Sequence, residues 1–207
     1  MTKPELLTNN TPPKVILFDC DGVMCPPLRF AQVLTEQHQI TIEMTREFFS
    51  SAFTPALLGH VDVRELLSPY LAIWGWRGSL DDFLTLWLES ERGLHDGMIT
   101  IVESLKQRGF TVGLATNQEM RRAAYLRTEM GFEALFHHLF ISCEIRAMKP
   151  QDDYFFAVTN TLGIAPGEIL FIDDQIHFVS AAQRCGWQAI QFSTAEKLSA
   201  DLALFLT

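Results

Sequence analysis

Val15-Ile16-Leu17-Phe18-Asp19-Cys20-Asp21-Gly22-Val23 is a short apolar run that stops on two carboxylates and a glycine. Four apolar residues before a turn signal fit a strand buried on both faces. The acids then fall at its carboxyl end, where open α/β sheets bind their ligands. Carboxylates one residue apart repel each other, so a positive partner is expected beside them. Closely spaced oxygen ligands suit Mg²⁺, which is usually held by one or two carboxylates together with water and a substrate phosphate. This stretch therefore predicts a metal-assisted, phosphate-handling enzyme.

Downstream the chain changes character twice. From Pro26 to about Gly93 the apolar residues recur at helical spacing, over Leu28–Gln39 and Thr45–Phe53. Asp62 is placed to cap Val63–Leu71, and Ser79 with Asp82 opens Asp81–Glu91 in a capping-box pattern. After Gly97 a regular alternation begins, with strands expected at Phe110–Ala115, Leu139–Ser142, Ile169–Ile172 and Trp187–Gln191. Helices ending at Gly109, Gly131, Gly163 and Gly186 separate them, and Ser193-Thr194 starts a closing helix to about Phe205. Such alternation demands parallel strands and right-handed crossovers, hence an α/β fold with a doubly wound, Rossmann-like parallel sheet. The expected organisation is a loose polar tail over 1–13, a core from 14–25 and 94–207, and a helical insertion over 26–93, directly after the first strand.

Composition narrows the partners. A formal net charge of −9 argues against nucleic acid and anionic membranes, which require basic patches. No segment approaches the roughly 18 apolar residues of a membrane span. The four cysteines form no Cys-x-x-Cys pair, so they read as free thiols in a reducing, cytoplasmic setting, Cys20 as a small buried filler behind the strand end.

Four strand-end or helix-start motifs occur in order: Asp19-Cys20-Asp21-Gly22-Val23, Leu114-Ala115-Thr116-Asn117, Lys149-Pro150 and Phe171-Ile172-Asp173-Asp174. Together they resemble the haloacid dehalogenase superfamily, and the insertion after the first motif resembles members with an α-helical cap. Gly59-His60-Val61-Asp62 and the stretch from Ser142 to Pro150 are most similar to the branch of small sugar-phosphate phosphatases and the N-terminal phosphatase domain of epoxide hydrolases.

The resemblance implies a role for each position, and each role has a physical reason. Asp19 is the implied nucleophile, forming an aspartyl-phosphate that divides one hard displacement into two easier ones. Asp21 is the implied general acid and then base. Mg²⁺ is implied as cofactor, held by Asp19, the main-chain carbonyl of Asp21 and Asp174, with Asp173 beside it, where related sequences carry Gly, Glu or Asp. Thr116, through its hydroxyl, and Asn117, through its backbone N–H, are the implied phosphate donors. Lys149 is the point charge that holds both Asp19 and the phosphoryl group.

The expected activity is Mg²⁺-dependent hydrolysis of a small phosphomonoester, such as a sugar phosphate. Asp21 argues against a dehalogenase, whose halide leaves without a proton. Two alternatives stay open: a phosphomutase of the same superfamily, and a non-catalytic member that binds a phosphometabolite or partner. His60 and Arg64 are the candidates for substrate selection. Trp74, Trp76 and Trp87 are read first as packing of the insertion. Oligomeric state is not readable from the sequence.

Overall fold

Val15–Phe18 forms β1, the central strand of the computed structural model, which describes residues 11–27 and 29–206. Its alternation separates two apolar layers, because successive side chains on a strand point to opposite faces. Ile16 and Phe18 enter one layer, Val15 and Leu17 the other.

After β1 the elements among the described residues are helical for some seventy residues: α1 (Arg29–His38), α2 (Ile42–Glu47), a π-helical stretch Phe48–Ala52, α3 (Thr54–Leu57), α4 (Val63–Trp74) and α5 (Leu80–Ser90). They share an apolar cluster of their own, centred on Phe48, Leu67, Trp74 and Phe83. Asp62 caps α4 by accepting from Arg64 N at 2.9 Å, and Ser79 with Asp82 closes the capping box of α5. Helix α4 runs three residues beyond the expected Leu71, with Pro69 inside it, to the left-handed terminus that Gly75 supplies.

The core follows as α6 (Met98–Gln107), β2 (Thr111–Thr116), α7 (Met120–Thr128), α8 (Phe132–Leu135), β3 (His138–Ile141), α9 (Ser142–Ile145), α10 (Asp152–Leu162), β4 (Ile169–Asp173), α11 (Ile176–Arg184), β5 (Gln188–Gln191) and α12 (Ala195–Phe205). All paired strands are parallel, in the order β3-β2-β1-β4-β5. Side chains of α6, α7 and α12 fill the layer against Ile16 and Phe18, while α10 and α11 fill the layer against Leu17. The sheet is thus covered on both faces, as an all-parallel sheet requires.

Of the expected tail, residues 1–10 lie outside the described residues, as does Leu28. Thr11 accepts a hydrogen bond from Gln188 Nε2 at 2.8 Å, and Pro13 is buried. No helix among the described residues is long and apolar enough to cross a membrane.

Candidate active site

The carboxyl ends of β1, β2 and β4 open onto one cleft. At the end of β1 the chain turns tightly: Met24 N and Cys25 N both donate to Cys20 O at 2.8 Å, and Gly22 N donates to Cys25 O at 2.7 Å. Gly22 adopts φ +88°, and a Cβ there would lie 2.5 Å from Asp174 Cγ. Glycine thus serves both the left-handed turn and the close approach of the β4 carboxylate.

Lys149 organises the centre. Its ammonium is fully buried, 2.9 Å from Asp19 Oδ1 and 2.7 Å from Asp173 Oδ2. The loop that carries it is tied to β2: Asn117 Nδ2 donates to Lys149 O and Lys149 N donates to Asn117 Oδ1, both at 2.9 Å. Burial opposes the Lys149 charge, but Asp19 and Asp173 outweigh it and hold the ammonium above its ordinary value. Burial likewise pushes the Asp19 carboxyl up to about 7, with Lys149 pulling against it and Asp173 adding to it.

Three carboxylates gather beside this cation. Asp19, Asp173 and Asp174 each offer an oxygen, all within 4.8 Å of one another. Asp173 already accepts at both oxygens, from Lys149 Nζ and from Gln175 N at 2.8 Å, so it supports the lysine directly. Asp174 accepts from Gln175 Nε2 through Oδ2, whereas its Oδ1 is buried with no hydrogen-bond partner among the described residues. An orphaned buried acceptor beside a second carboxylate, in a recess a Cβ would fill, fits a small hard cation.

Asp21 lines the same cleft, half-exposed. Gln118 Nε2 donates to its Oδ2 at 2.7 Å, and Arg122 Nη2 stands 3.7 Å from Oδ1. Glu119 caps α7 by accepting from Arg121 N and Arg122 N, which sets the Arg122 side chain beneath the site, 1 % exposed. From there Arg122 Nη2 donates to Glu91 O at 2.9 Å and Nη1 to Leu88 O at 3.5 Å, joining Asp21 to the end of α5. Burial, then the Asp21 charge, pushes the neighbouring Glu91 carboxyl up to about 7 against the pull of Arg122.

A cavity of about 570 Å³ rises from these groups, with Asp19, Asp21, Thr116, Asn117, Lys149 and Asp174 among its lining. Its roof comes from α1, α2, the π-helical stretch and α5. His60 and Arg64 do not line it. Arg64 is drawn instead into an ion pair with Asp81 on α5, and His60 is an exposed residue whose N–H donates to Pro55 O. Trp74 is buried in the helical cluster, and Trp76 lies against Phe83 and donates to Ser79 O. Trp87 alone of the three lines the cavity. The sequence reading missed Gln118, Arg122 and Gln175. Gln118 and Gln175 each directly follow a motif, which was the available signal.

A family model described as haloacid dehalogenase-like hydrolase matches residues 13–186. Flavin mononucleotide hydrolase 1 of Arabidopsis thaliana is 27 % identical over 108 residues, which is 52 % of this chain and 44 % of that protein. Phosphoglycolate phosphatase of Pasteurella multocida is 25 % identical over 93 residues, 45 % of this chain and 42 % of that protein. The chain therefore spans less than half the length of these two curated relatives. A solved HAD-family enzyme from Bacteroides thetaiotaomicron, in complex with magnesium and inorganic phosphate, superposes with a TM-score of 0.73 at 21 % identity, over 88 % of this chain and 95 % of that one.

Proposed function

Since this chain belongs to the haloacid dehalogenase-like hydrolases, we propose that it hydrolyses a phosphomonoester through an aspartyl-phosphate on Asp19. The observation that carries the reading is the buried Asp19–Lys149 pair lining one cavity together with Asp21.

In this reading Asp19 attacks phosphorus, the phosphorus–oxygen bond of the ester breaks, and the leaving alkoxide takes a proton from Asp21. Asp21, now a carboxylate, then removes a proton from water as the water attacks the phosphoryl group, regenerating Asp19 and releasing phosphate. Lys149 keeps the anionic nucleophile and the anionic substrate together, and Gln118 with Arg122 orients the acid. Thr116 directs its hydroxyl and Asn117 its backbone N–H to the phosphoryl oxygens. Asp19 and Asp174, with the main-chain carbonyl of Asp21, would hold Mg²⁺. Bound there, Mg²⁺ supplies Lewis-acid neutralisation of the phosphoryl charge. Two relatives named for acting on flavin mononucleotide and phosphoglycolate support a phosphomonoester substrate, and the magnesium–phosphate complex of the Bacteroides enzyme supports the metal.

The test is phosphate release from a panel of phosphomonoesters, with Mg²⁺ and with EDTA, beside Asp19→Asn. Release that requires Mg²⁺ and falls by at least about 10³-fold in Asp19→Asn is expected. Undiminished release by Asp19→Asn would remove the nucleophile. Conversion of one phosphosugar to its isomer with little free phosphate would make the protein a mutase.

A further inference from the structure

The cavity is two-faced. Its floor is the charged cleft, with Phe178 of α11 beside Lys149, but its roof is built from Phe30, Leu34, Phe49, Phe53 and Trp87. Trp87 stacks on Phe30 at 5.6 Å and meets Phe49 edge-on at 5.5 Å, so the rings form one packed apolar wall. Groups able to grip a polyol there are few. The Thr45 hydroxyl is engaged with Thr41 O and Ile42 O, and the other polar side chains of this wall are the exposed Ser50 and Arg46, the latter 3.8 Å from Glu43. Glu91 accepts from Trp87 Nε1 at 3.2 Å. A sugar buried under this roof would leave hydroxyls unpartnered, which disfavours binding, whereas a hydrocarbon would lose only contact with water. At about 570 Å³ the chamber is within the ordinary range for drug-sized ligands, roughly 300–1,000 Å³, and far larger than a two-carbon ester needs.

We infer that the substrate is the phosphate monoester of a hydrophobic alcohol, alkyl or arylalkyl, whose hydrocarbon part fills the aromatic chamber while its phosphate meets Asp19 and Lys149. This rests on the phosphomonoesterase reading above and specifies its leaving group. The specificity-determining residues are then the apolar ones of α1, α2 and the π-helical stretch. Ile42, 45 % exposed at the cavity, adds apolar surface to its wall.

Ethyl, butyl, hexyl and octyl phosphate share one kind of leaving group and differ only in apolar length, so their kcat/KM values isolate the chamber. A gain of about fourfold per buried methylene is expected, making hexyl phosphate roughly 100-fold or more better than ethyl phosphate. Phosphoglycolate and glycerol phosphate should fall near or below ethyl phosphate. Ile42→Ser, at an exposed position where folding is not at stake, should reduce the gain for octyl phosphate, and a calorimetric titration of Asp19→Asn with octyl phosphate should show binding without turnover. Turnover of phosphoglycolate or a sugar phosphate with a flat alkyl series overturns the hydrophobic assignment and leaves the hydrolase reading standing. Failure to release phosphate from any ester overturns both.

Discussion

Replacing Lys149 by methionine keeps most of the side-chain volume and removes the ammonium from between two carboxylates. Lys149 and Asp173 are fully buried and Asp19 nearly so, with separations of 2.7 and 2.9 Å. Removing one partner of such a buried pair costs about 3–5 kcal/mol. In a chain of this length that lowers Tm by roughly 6–20 °C. The loss depends on pH in a defined direction. In EDTA, folding raises the Asp19 pKa from 3.8 to about 7. A carboxyl raised on folding favours the protonated native state, so its contribution declines as pH climbs from about 4 to about 7. Without the Lys149 charge that pKa moves higher and the decline continues above pH 7. The Tm gap between wild type and Lys149→Met is therefore wider at about pH 8 than at about pH 5.5. Activity falls as well, by on the order of 10²- to 10³-fold in kcat/KM, since a group that stabilises transferring charge is gone. Thermal melts in EDTA at the two pH values, with steady-state phosphate release in Mg²⁺, check this. A variant keeping more than about a tenth of wild-type kcat/KM, or an equal Tm gap at both pH values, would refute the central role of the lysine.

Three other substitutions probe the surrounding shell. Gly22→Ala drives a methyl group against the Asp174 carboxylate at a position with φ +88°, so Mg²⁺ affinity measured by calorimetry should drop about tenfold or more. Arg122→Met releases Asp21 and the α5 carbonyls. kcat should fall about 10- to 100-fold for alkyl phosphates and less for p-nitrophenyl phosphate, whose leaving group needs little proton donation. Arg64→Ala, at a residue outside the cavity, should leave kcat/KM within about twofold in the same assay.

Much of the sheet was legible because its strands announce themselves: an apolar run, then a polar or acidic stop, as in Val15–Phe18 before Asp19 and Ile169–Ile172 before Asp173. The helix ends were legible through glycine, Gly163 adopting the left-handed terminus its position suggests. The short helices Phe132–Leu135 and Ser142–Ile145 escaped, since four residues carry no measurable period. So did the groups that orient the acids. Gln118 and Arg122 look locally like a polar helix entry, and only the tertiary fold buries them against Asp21. His60 and Arg64 were misleading for the opposite reason. Their neighbourhood resembles a family segment, yet Gly59 presses so near the Cys143 carbonyl that a Cβ would lie 2.1 Å from it, and the stretch held there is outside the cavity lining.

The helical segment holds itself together through its own cluster of Phe and Trp side chains, separate from the two layers that sandwich the sheet. Drift in one packing unit is therefore poorly felt by the other. Evolution, or an engineer, can re-tool what this chain recognises by rewriting α1, α2 and the π-helical turn, while the reaction chemistry beneath is inherited unchanged.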